Sequence, residues 1–194
     1  QLVVNMAGEL VETSVDNGDG TFTYNVPVRE GYTWSDGSPI TANDWEFTFD
    51  TVKNLSLGGN FLSSYPYSCE DEEGTAKNCV VSVVASDDYT VSITFNYDPG
   101  LSTWQYGTAQ GIAFSKAYWE QYATDKETLY AHDATNAPVA SAFVYDKLEQ
   151  GAFYTWKYDA NTMWYGGTTT IYDGGGTSVD WDNGKAPAFS ADFG

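Results

Sequence analysis

The segment "WSDGSPITANDWEFTFDTV", residues 34–52, constrains the fold more than any other stretch of the chain. Asp36-Gly37 is a turn dipeptide, because glycine takes the positive φ that a tight turn demands. Thr41 then stands where a helix N-cap belongs, and Asp44 follows three residues on, giving a capping box with aspartate in place of glutamate. Trp45, Phe49 and Val52 recur at i, i+4 and i+7, which predicts a helix over 42–54 with one apolar face. Asn54 and the Gly58-Gly59 pair mark its end. Upstream, Thr21–Val28 alternates with period two behind the turn-rich "DNGDG", the pattern of a β-hairpin. A hairpin, a turn and a helix with one apolar face are the parts of a helix packed on a sheet.

The same punctuation continues downstream. Residues 80–97, "VVSVVASDDYTVSITFNY", read as a second hairpin around "SDDY", and 115–131 as a second helix. "SAFVYDKLEQGAFYTWKYDA" reads as a third hairpin turning near Glu149–Gly151, and the chain from Gly166 as loop with one short strand pair. No internal repeat is visible. Hairpins alternating with two or three helices predict an α+β fold with a mixed sheet rather than a βαβ alternation.

Eight Lys+Arg against 27 Asp+Glu give the 194 residues a formal charge of −19. Phosphate contacts need clustered lysine and arginine, so nucleic acid and anionic membrane are poor partners for this surface. The acidity suits solubility in high salt or in an acidic medium. Aromatic residues make up 16% of the chain, which argues for a packed core despite the charge. No apolar run is long enough to span a bilayer. The opening "QLVVNMAGELVE" lacks the basic and apolar regions of a signal peptide and reads as the interior of a domain, so a fragment or processed chain is expected. Cys69 and Cys79 flank the acidic, glycine-containing loop "EDEEGTAKN", a spacing that a disulfide closes easily. Two cysteines and one histidine cannot build a structural zinc site, so the disulfide and an oxidising location are the expectation.

Catalytic groupings are few. His132, the sole histidine, falls at a helix end where it reads as a terminal charge or a solvated side chain. No G-x-S-x-G elbow is present, and a carboxylate pair chosen among 27 acids carries little meaning. "DNGDG" and "DWDNG" lack EF-hand spacing and fit turns instead. No metal ligand set, cofactor or enzymatic activity is expected. Asn54-Leu55-Ser56 is a formal glycosylation sequon, relevant to a secreted protein.

The order Arg29, Gly31, Trp34, Asp36-Gly37, Pro39-Ile40-Thr41-Ala42 and Asp44 resembles the signature of the family 5 extracellular solute-binding proteins, the receptors of peptide, nickel and oligosaccharide ABC importers. Asp88-Tyr89-Thr90-Val91 resembles a hairpin of that family, "GIAFSKAYWEQ" a helix start, and Asn161 with Trp164-Tyr165-Gly166-Gly167 a later segment. The resemblance covers roughly 9–167, leaving 168–194 as a loop-rich extension. Where the family has Gly-Thr-Gly-Pro-Tyr, this chain has Ala140-Ser141-Ala142-Phe143-Val144.

The resemblance implies part of the N-terminal lobe of a two-lobed, periplasmic-binding-protein type II-like fold. It implies an extracellular or cell-surface receptor, anchored to the membrane through a segment elsewhere, that closes on a peptide-like or oligosaccharide solute and passes it to a membrane permease. Within this chain the ligand-facing candidates are Trp104 and Tyr106 in the Gly-bounded "GLSTWQYGTAQG", followed by Tyr65 and Tyr67 in "SSYPYS". The rival reading is a self-assembling surface-layer or filament subunit that reuses the same fold.

Overall fold

The computed structural model describes residues 14–100, 113–141, 143–149, 151–158, 168–172 and 178–182. The chain divides into two compact units, residues 1–31 with 40–132 and residues 32–39 with 133–194.

The first unit is built on a four-stranded sheet in the order β1-β2-β4-β3. Its strands are β1 (Val15–Asp16), β2 (Phe22–Pro27), β3 (Val80–Asp87) and β4 (Thr90–Phe95). All three pairings are antiparallel. The "DNGDG" turn behaves as its composition demands: Gly18 and Gly20 have positive φ, and the Asp16 and Asp19 carboxylates accept from Gly18 N and Thr21 N. Strand β2 lies along β4, with Tyr24 opposite Ile93 and Val26 opposite Val91. Tyr24, Val26, Val91, Ile93 and Phe95 alternate onto the buried face, as a strand half-covered by a helix requires. The opposite face is polar, with Thr23 hydrogen-bonded to Thr94 and Ser92 donating to Asn25.

Helix α1 (Ala42–Asn54) occupies the span its caps predict and packs on β3 and β4. Phe49 and Val52 enter the core, while Trp45 lies at its margin. A short α2 (Asn60–Ser64) follows. The expected single helix over 115–131 is instead two pieces, α3 (Lys116–Trp119) and α4 (Lys126–Ala131). The reason is local: the Asp125 carboxylate accepts from Thr128 N at 2.8 Å, capping a new N-terminus within the expected helix.

Cys69 and Cys79 form the expected disulfide, with Cα atoms 5.0 Å apart. Cys79 is fully buried and continues into β3. A Cys69→Ser/Cys79→Ser double variant is expected to lose about 3 kcal/mol, the chain-entropy value for so short a loop, read as a lower urea midpoint. An unchanged midpoint would show that the Glu70–Ala76 bridge and the Asp71 turn hold this loop without the bond.

The second unit carries two antiparallel hairpins, β5 (Phe143–Glu149) with β6 (Phe153–Tyr158), and β7 (Thr168–Tyr172) with β8 (Ser178–Asp182). The first turns where the sequence predicts, with Gly151 at φ 81° and Ala152 N donating to Glu149 O. The second is the strand pair expected after Gly166.

Candidate functional site

The signature segment is divided between the two units, and each part is held by its own bonds. In the second unit, the chain doubles back through an isolated bridge between Thr33 and Pro39. Gly37 sits at φ 85° and donates to Trp34 O, while the Asp36 carboxylate accepts from Ser38 N at 2.9 Å. Trp34 is buried. This small loop joins the segment at 139: Ser35 N donates to Val139 O, and Val139 N donates to Ser35 Oγ, both at 3.0 Å. These polar atoms of the turn therefore have a structural use.

In the first unit, Asp44 is the centre of a buried polar cluster. The reciprocal Thr41–Asp44 capping box is present, with Thr41 N donating to Asp44 Oδ2 at 2.9 Å. The other carboxylate oxygen, Oδ1, accepts from Lys116 N at 2.8 Å, at the start of α3. One turn on, Thr48 Oγ1 donates to Asp44 O and accepts from Phe114 N at 2.7 Å. Asp44 is 4% exposed and Thr48 fully buried, so helix α1 binds the backbone of 114–116 through two side chains shielded from water. The capping box is legible in the sequence; the bond to Lys116 spans 72 positions and is not.

The ligand-facing candidates fall in different places. Trp104 and Tyr106 lie outside the described residues. Tyr65 is fully buried in the core of the first unit, its ring edge-to-face with Phe49 at 6.0 Å, and burial pushes its phenol well above the ordinary tyrosine value. The ring is enclosed by that core, unlike a residue on an open surface. Tyr67 is half-buried and packs against the same core. "SSYPYS" carries no periodicity that would separate the inward tyrosine from the outward one.

Of the two expectations for His132, a terminal charge or a solvated side chain, the structure places it at a helix C-terminus and packs it among rings. It caps the C-terminus of α4, half-buried among Tyr118, Trp119 and Tyr122, and stacks on Tyr122 with centroids 3.6 Å apart. Its Nε2 lies 3.0 Å from Tyr118 Oη. The imidazole joins α3 to α4 through ring packing, and this packing accounts for its position.

The second unit shows an aromatic face that sequence reasoning did not single out. On the β5–β6 hairpin Phe143, Tyr154 and Trp156 are each more than half exposed, and Tyr145 meets Trp156 edge-to-face across the strands at 6.1 Å. The period-two spacing of 143 and 145 with 154 and 156 is the signal that could have found it. Among the described residues no group of three or more His, Cys, Asp or Glu is placed to hold a metal ion, and no helix is long and apolar enough to cross a membrane.

Known proteins resemble this chain in sequence and in fold. The model of the bacterial extracellular solute-binding proteins, family 5 (middle region), matches residues 5–182, and the chain belongs to that family. A probable ABC transporter-binding protein of Deinococcus radiodurans is 29% identical over 92 residues, covering 47% of this chain and 14% of that protein. The oligopeptide-binding protein OppA of Bacillus subtilis is 33% identical over 93 residues, 44% of this chain and 16% of OppA. The solved structure of Listeria monocytogenes OppA bound to peptide superposes with a TM-score of 0.55 at 19% identity, over 84% of this chain and 31% of that one. The chain therefore has the fold of these binding proteins and spans a minor part of their length.

Proposed function

We propose that this chain is part of the N-terminal lobe of the substrate-binding component of an ABC importer, and that the complete receptor closes on a peptide-like solute and delivers it to a membrane permease. The family match over residues 5–182 carries this reading. Asp36 in the second unit and Thr41, Asp44 and Thr48 in the first each hold local structure, and this reading assigns recognition to other groups. Trp104 and Tyr106 are the solute-facing residues of this reading, with Tyr67 at the margin of the first unit. Binding would rest on ring contact and hydrogen bonding, and the reading requires no bond-making step.

The test is a thermal-shift and calorimetric titration of the protein as isolated from its source, against pooled oligopeptides and, separately, oligosaccharides. A peptide present at a hundredfold excess over its Kd is expected to stabilise the receptor by about 2.7 kcal/mol. Stabilisation by oligosaccharide alone would move the solute class. Silence toward both, with ordered assembly of concentrated protein, would favour the surface-layer or filament reading. In the same protein Trp104→Ala is expected to raise the Kd about tenfold, an aromatic contact of about 1.4 kcal/mol. An unchanged Kd would remove Trp104 from the site.

A further inference from the structure

The described surface also carries a formal N-glycosylation triplet. Asn54-Leu55-Ser56 is the only Asn-x-Ser/Thr triplet with a non-proline middle residue in the 194 residues. The structure gives this triplet a geometry that the motif alone does not. Asn54 is the last residue of α1 and is exposed. Leu55 N donates to Thr51 O, Ser56 N to Lys53 O and Leu57 N to Val52 O, so the backbone folds back in a compact turn. Ser56 takes φ 50°, a left-handed conformation that few residues other than glycine adopt. Leu57 is buried on the far side. The turn is thus anchored by α1 before it and by the core after it, with Asn54 and Ser56 both exposed between.

Three other described asparagines have their carboxamides in use. Asn17 Nδ2 donates to Thr21 and Thr23, Asn25 Oδ1 accepts from Ser92, and Asn96 both accepts from Cys79 N and donates to Lys77 O. Asn54 makes no such bond among the described residues, so its amide nitrogen is available without breaking a native contact. Two independent observations place the chain where such chemistry occurs: it belongs to an extracellular family and holds a disulfide.

We propose that Asn54 is an N-glycosylation site, modified by a transferase that uses a polyprenyl-diphosphate-linked oligosaccharide. The Asn54 amide nitrogen forms a bond to the anomeric carbon of the first sugar. The bond from that carbon to the diphosphate oxygen breaks, the polyprenyl diphosphate leaves, and one amide proton passes to a base of the transferase. The Ser56 hydroxyl is the acceptor's second recognition element.

The experiment is mass spectrometry of the protein as secreted by its own host. After reduction, trypsin releases residues 54–77 as one peptide, since Lys53 and Lys77 bound a stretch with no other basic residue. The expected result is a glycan mass on this peptide, localised to Asn54 by fragmentation, and its complete loss in both Asn54→Gln and Ser56→Ala. An unmodified Asn54 in the secreted protein overturns the proposal. So does added mass that persists in Asn54→Gln, which would place the sugar on a serine or threonine of the same peptide. Solute titration of the same samples reads the importer proposal separately, because neither outcome at Asn54 depends on a bound peptide.

Discussion

Replacing Asp44 with alanine is expected to lower the unfolding free energy by about 4 kcal/mol, since two hydrogen bonds to a charged acceptor are lost and their donors stay buried. The carboxylate holds Thr41 N with one oxygen and Lys116 N with the other, at 2.9 and 2.8 Å, in a site 4% exposed. Alanine removes both acceptors and leaves two amide N–H groups with little access to water. A solvated N-cap would cost about 1 kcal/mol, so the size of the loss separates a junction from an ordinary cap. The Asp44→Asn variant keeps one carbonyl acceptor and turns the other position into a donor facing a donor. Its expected cost is intermediate, about 2 kcal/mol, for one bond lost at an unsatisfied N–H. Urea unfolding should show the midpoint falling with the slope unchanged. A loss under about 1 kcal/mol for alanine would mean that water or a shifted backbone replaces the Lys116 contact.

The parts of the fold that local chemistry dictates were legible. The start of α1 follows from Thr41 and Asp44, its end falls at Asn54 where Ser56 turns back at positive φ, and the hairpins follow from two-residue alternation around their turns. What was hidden depends on residues distant in sequence. Strand β2 adjoins β4 rather than only the strand before it, because Tyr24 and Val26 find their apolar partners in Ile93 and Val91. The division at 115–131 turned on Asp125, whose cap outcompetes helix continuation where the rings of Tyr118, Trp119 and Tyr122 gather on His132. The signature segment was legible as architecture, and its Asp36, Thr41, Asp44 and Thr48 are engaged in local structure. A motif used in this way says little about the solute. The aromatic candidates rest on their place in a Gly-bounded loop and in "SSYPYS", and neither stretch distinguishes an inward ring from an outward one.

Tyr65 shows the consequence, and Tyr65→Ala is the variant that decides it. The ring is fully buried, packed edge-to-face on Phe49 and surrounded by the core that β2, β3, β4 and α1 share. Truncation removes the whole ring and leaves a cavity, for an expected loss of about 4 kcal/mol. Tyr67→Ala, at a half-buried neighbour on the same core, is expected to cost about half as much, because water can enter the space the ring leaves. Both variants should be made in the protein as isolated, with unfolding and solute titration measured on the same samples. If Tyr65 serves the core, its variant unfolds at much lower denaturant while the folded fraction binds with unchanged affinity. A Tyr65→Ala protein as stable as its parent but weakened toward solute would instead mean that the ring leaves the core when the receptor closes, and Phe49 would then have to repack behind it.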